Sequence, residues 1–182
     1  MTRRIFVDTE WTAVPWSQSA SLLWVGLSDE AGKTWCALSA DAHIETSNEK
    51  YVADLLSIIT PDVPRLSNAE ISKTILKFCS EVDEFWAWIP TPESFAQWSK
   101  IGNKATEVFA RVKDIDLQML KSVVVPWPLT WPNQIQDLNS AAAAAKVEIP
   151  DRAPNFLHPR VHAKWNQDLY TLISQARGAS AA

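Results

Sequence analysis

The pattern of apolar and polar positions starts with strands and passes over to helices. Residues 5–11, IFVDTEW, open on three consecutive apolar residues that suit a buried strand, then place Asp8 and Glu10 two positions apart. A backbone of period two turns both of those carboxyl groups to one side. Residues 21–39, SLLWVGLSDEAGKTWCALS, are two apolar runs around Asp29–Lys33, with Gly32 supplying the turn. The three runs together predict an antiparallel meander.

Helical spacing takes over after residue 50. Val52, Leu55, Leu56 and Ile59 form a stripe over 51–59, closed by Thr60 and Pro61. Ser67 and Glu70 stand in capping-box spacing ahead of a helix with Ile71, Ile75, Phe78 and Cys79 on one face. Residues 84–89, EFWAWI, are short, aromatic and bounded by polar residues, as expected of a buried strand reached from that helix. A helix follows with Thr91 as N-cap, Pro92 at its first position and Gly102 as its stop, which puts Glu93 in a first turn just beyond a central strand. Residues 123–132, VVVPWPLTWP, read as a connection, and the alanine run at 141–145 as helix. The last element, 161–175, spaces His162, Trp165, Leu169 and Leu172 for one more helix. A single domain over 1–176 with a frayed tail at 177–182 accounts for the whole pattern.

Composition narrows the setting. The 182 residues are 47% hydrophobic, enough for one sizeable core. The sequence has no run of about 18 apolar residues and no signal-peptide pattern, so no membrane partner and a cytoplasmic location are expected. Cys36 and Cys79 have neither disulfide nor metal spacing and are expected as buried thiols. A net charge of −4 opposes a broad grip on duplex nucleic acid, though not a small acidic site at the end of a single strand. A homodimer is left open.

Asp8 and Glu10 raise the question of chemistry. Two carboxylates held together repel and raise each other's pKa unless a cation lies between them, and a divalent metal resolves the repulsion; a solvated strand end with two unrelated acids is the other reading. Of the ten tryptophans, Trp24, Trp35, Trp86 and Trp88 fall on predicted strands and belong in the core. Trp11, beside the acidic pair, and Trp127 and Trp131, in the proline-rich connection, are the candidates for stacking on unpaired bases. His43 is expected at the surface.

Three strands, a helix, a further strand and then helices is the order of a ribonuclease H-like α/β domain, a mixed central sheet with helices packed on it. IFVDTEW, LLWVGLSDEAGKTWCALS, EFWAWIPTPESF, PWPLTW with QDL, and HAKWNQDLY occur here in consistent order over nearly the whole chain. Together they resemble the bacterial 3′-5′ exoribonucleases of the DEDD superfamily, relatives of RNase T and oligoribonuclease. The resemblance implies a metal-dependent exonuclease acting on 3′ ends of single-stranded RNA, or DNA, in which four carboxylates hold two Mg²⁺ or Mn²⁺ ions. Asp8 and Glu10 would bind the metals, and a His in the last motif would act as general base.

The departures from that pattern fall on the same site. Glu93 stands at the third carboxylate position, one methylene longer than the family's aspartate. The register fixed by Ala163-Lys164-Trp165 puts His162 at the fourth, and Leu157 at the general-base position with His158 one residue later. A slipped register would use Asp168 as the fourth acid and His162 as base, but a one-residue slip rotates a helix by about 100°. Imidazole suits Mn²⁺ better than Mg²⁺. A catalytically impaired protein that keeps the fold and binds nucleic-acid ends, nucleotides or a protein partner is the alternative.

Overall fold

The structure, a computed structural model, describes residues 2–13, 17, 19–59, 61–100, 102–151 and 158–180, the side chains of residues 98 and 180 excepted. Six strands, β1 (Arg4–Trp11), β2 (Leu22–Asp29), β3 (Thr34–Ser39), β4 (Arg65–Leu66), β5 (Glu84–Ala87) and β6 (Ile135–Asp137), form one mixed sheet in the order β4-β3-β2-β1-β5-β6. The meander expected from the sequence is β1–β3, antiparallel throughout. Gly32, with φ of 79°, closes its hairpin and donates its N–H to Asp29 O at 3.0 Å. β4, β5 and β6 join in parallel.

Seven helices are described: α1 (Glu49–Leu56), α2 (Asn68–Phe78), α3 (Pro92–Ser99), α4 (Ala105–Val112), α5 (Ile115–Val123), α6 (Leu138–Ala145) and α7 (Pro159–Ser180). The capping box of α2 is formed, Ser67 and Glu70 each accepting the other's backbone N–H. Thr91 caps α3, accepting from Ser94 N–H at 3.1 Å, but the helix ends on Lys100 in the left-handed conformation, ahead of the expected stop at Gly102. No frayed tail begins at 177. α7, anchored by buried Leu169 and Ile173, carries on as helix through Ser180, and residues 181–182 lie outside the described part. Among the described residues no helix is long and apolar enough to cross a membrane. Both cysteines are buried and free.

The period of β1 divides the core. Ile5 and Val7 join Ile71, Ile75 and Leu120 of α2 and α5 on one face, while Phe6 joins Leu138, Trp165 and Leu169 of α6 and α7 on the other. Asp8 and Glu10 follow Phe6 on the α7 face. Gly26 of β2 lies directly across from Asp8. A Cβ at Gly26 would stand 2.0 Å from the backbone O of Pro159, so α7 can descend onto the sheet only because that position has no side chain.

Gly26→Ala should therefore lift the first turn of α7 and cost more than about 2 kcal/mol, in the upper range for an overpacked core position. Urea denaturation of the two proteins measures it, and an unchanged midpoint would contradict the close approach.

Candidate functional site

β5 leaves β1 early. Its pairing ends at Phe6↔Trp86, while β1 runs on to Trp11. The edge of β1 beyond that point still carries backbone groups that need partners, and two helices supply them with side chains. Asn166 of α7 donates its Nδ2–H to Val7 O at 2.9 Å, and Asp116 of α5 accepts from Thr9 N–H at 2.8 Å and from Thr9 Oγ1 at 2.6 Å. The cleft opens between these clamps.

Asp116 is the acid that the sequence did not disclose. It joins Asp8 and Glu10 in one cavity, lined also by His162 and Trp11. Glu10 is held well above the usual carboxylate range, first by burial of its carboxyl and then by the charges of Asp8 and Asp116, against a hydrogen bond from Tyr51 of α1. Burial and then the charge of Asp8 push Asp116 up to about 7, against its hydrogen bonds with Thr9. Tyr51 is raised in turn by burial and by Glu10. Asp8 is only 5% exposed, and its Oδ1 lies 2.5 Å from Nδ1 of His162.

His162 is thus brought to Asp8, one turn into α7 from the Pro159 that presses on Gly26, in the register set by Ala163-Lys164-Trp165. Asp168 lies on the outside of the helix, paired with Lys164, so the slipped register is not the one adopted. Glu93 is not brought in. It is exposed, because Phe95 occupies the inward face of α3 and a residue two positions earlier points about 200° away. His158 is buried ahead of α7, near Arg160 and Asp62, and does not line the cavity; burial comes first among the causes that lower its pKa. Leu157 lies outside the described residues.

The tryptophans divide differently from the expectation. Trp11 lines the cavity, its Nε1–H donating to Thr9 Oγ1 at 3.1 Å. Trp127 and Trp131 do not serve as stacking platforms there: they pack on Phe85 and on each other in the core of the opposite face, with centroids 5.1–5.8 Å apart. Trp24 and Trp86 are buried as expected, while half-buried Trp88 reaches the cavity wall; His43 is exposed.

The donors suit a divalent cation in kind. Asp8 Oδ2 is buried with no hydrogen-bond partner among the described residues, and two further carboxyl groups lie within electrostatic reach. In arrangement they fall short. Among the described residues no group of three or more His, Cys, Asp or Glu is already placed to hold a metal ion. Tyr51 engages Glu10, Thr9 engages Asp116, and His162 engages Asp8. The expected four-carboxylate, two-ion centre is not assembled, since Glu93 stands outside and His162 replaces an acid.

No family model matches the sequence, and neither does any curated protein. Among solved structures, the RNase domain of the yeast Pop2 protein matches at 12% identity with a TM-score of 0.53, over 94% of this chain and 76% of that one. That match shows the fold. The chain has a ribonuclease H-like exonuclease fold, and Asp8 and Glu10 lie on its first strand.

The raised pKa of Asp116 makes stability depend on pH. The folded state keeps a proton from about pH 4 to pH 7 that the unfolded chain releases, so this carboxyl lowers stability as pH rises through that window. Asp116→Asn keeps an acceptor for Thr9 and carries no charge. With a chelator present it should match the parent near pH 4 and exceed it at pH 8 by a few kcal/mol, each tenfold difference in proton affinity between the folded and unfolded chain being worth about 1.4 kcal/mol. Thermal melts across pH check this, and equal gains at both ends would contradict it.

Proposed function

We propose that this chain is a divergent 3′-5′ exonuclease acting on single-stranded RNA, in which Asp8, Glu10 and Asp116 hold one divalent ion. The observation that carries this reading is the convergence of three water-poor carboxyl groups, one with an unpartnered oxygen, at the open end of the first strand of an exonuclease fold. The sequence resemblance to the bacterial exoribonucleases supports the direction of attack and the RNA substrate. Such an ion would supply charge stabilisation at the scissile phosphate and activation of the attacking water.

The protein's own groups do the rest. Thr9 fixes Asp116 through two hydrogen bonds, and Tyr51 orients Glu10. His162, held against Asp8, is the group placed to accept a proton in the cleft. An imidazole in place of an oxygen ligand makes Mn²⁺ a better activator than Mg²⁺.

Binding of a nucleic-acid end without turnover is a second reading, favoured by one observation: His162 already neutralises Asp8 while Glu93 stays outside. A 5′-labelled single-stranded RNA incubated with Mn²⁺ or Mg²⁺ separates the two. The exonuclease reading predicts stepwise shortening from the 3′ end, faster with Mn²⁺. Asp8→Ala and Asp116→Ala should each lose about 100-fold or more, and Glu93→Ala little. Retention of the labelled RNA by an intact protein that never shortens it would favour binding alone.

A further inference from the structure

Beside the carboxyl groups the cleft continues into an apolar recess whose walls come from four elements unrelated to the acids. Trp11 closes the end of β1, Trp88 and Pro90 follow β5, Phe95 comes from α3, and Phe109 and Val112 come from α4. The helices α3 and α4 carry a small cluster of their own, Phe95 with Ala105, Val108 and Val112, and Phe109 ties that cluster to the main core. We infer that this recess receives the single-ring base of a terminal nucleotide, so that ends in pyrimidines are preferred to ends in purines. The inference rests on the exonuclease reading and deepens it by naming the class of end.

Three observations carry it. The walls are flat aromatic surfaces, which stack on any base without reading its edge. They are also fixed in advance: Trp11 is pinned by its hydrogen bond to Thr9, Trp88 meets Trp165 edge-on at 5.5 Å, and Phe109 meets Phe95 at 5.5 Å. The volume is the third. The cavity measures about 140 Å³, and an apolar cavity of roughly 150 Å³ accommodates one benzene-sized ring. A pyrimidine fills such a space, and the fused rings of a purine exceed it. The charges fit a nucleotide as well, with the acids to one side and Lys113, exposed on the lining, available to a phosphate. A base seated here brings the last phosphodiester of the strand to Asp8, Glu10 and Asp116.

Calorimetric titration of the full chain with UMP, CMP, AMP and GMP, with a chelator present to prevent turnover, tests the recess directly. UMP and CMP should bind at least about tenfold more tightly than AMP and GMP. Val112→Ala enlarges the recess and should narrow that ratio by improving the purines, while Val112→Phe fills it and should weaken all four. Equal binding of purines and pyrimidines, or a ratio that neither variant moves, would overturn the inference. Binding of a peptide with an apolar terminal side chain and of no nucleotide would overturn it in favour of a protein partner. The two readings fail separately. RNA shortening that depends on Asp8 but is indifferent to the terminal base sinks the recess and spares the exonuclease; tight pyrimidine binding without shortening does the reverse.

Discussion

Three carboxyl groups shut away from water within reach of one another are an electrostatic cost that the surrounding fold has to carry. Two like charges 4 Å apart repel by about 4 kcal/mol at an effective dielectric near 20, and burial adds the loss of hydration. The protein answers with local partners, Thr9 for Asp116, Tyr51 for Glu10 and His162 for Asp8. It also leaves protons on the acids: the carboxyl groups of Glu10 and Asp116 both sit above their ordinary range. Such an arrangement is destabilising in a scaffold alone and is what a site for a cation requires.

The rest of the architecture can be traced from that cleft. β5 stops pairing at Phe6, which frees the edge of β1, and side chains from α5 and α7 take its backbone groups. One of those side chains, Asp116, is both the edge's partner and the third acid. Gly26, across the sheet from Asp8, admits the start of α7, and one turn later the helix delivers His162. Phe95 turns Glu93 outward and forms part of the wall next to the acids. Position by position, the residues that complete the cleft are also those that hold the sheet and its helices together.

Much of this was legible in the sequence where a local signal exists. The period-two run at 5–11, the hairpin glycine and the capping box at Ser67 gave the meander and α2 with their faces. The fold class followed from the order of elements. His162 rather than Asp168 was legible through Ala163-Lys164-Trp165. Asp116 was not, because its role depends on β1 and β5 parting, a tertiary event with no local pattern. The signal that was present, Val108, Val112, Ile115 and Met119 at helical spacing, marks α4 and α5 without marking the acid between them. Glu93 was misplaced for a related reason. Its position relative to the strand was correct, and the rotation of α3 was set by where Phe95 finds its core. Trp127 and Trp131 look exposed in a proline-rich stretch, yet Phe85 gives them a buried surface to pack on.

Everything said of the cleft depends on Asp8, Glu10 and Asp116 acting as one electrostatic group open to a cation. The most direct measurement is the titration of their side-chain carboxyl carbons by NMR, with and without Mg²⁺. If they act together, Glu10 and Asp116 release protons far above the usual carboxylate range, with Asp116 near pH 7, and Mg²⁺ moves both transitions to lower pH together. Independent titrations near pH 4 that Mg²⁺ leaves in place would contradict it.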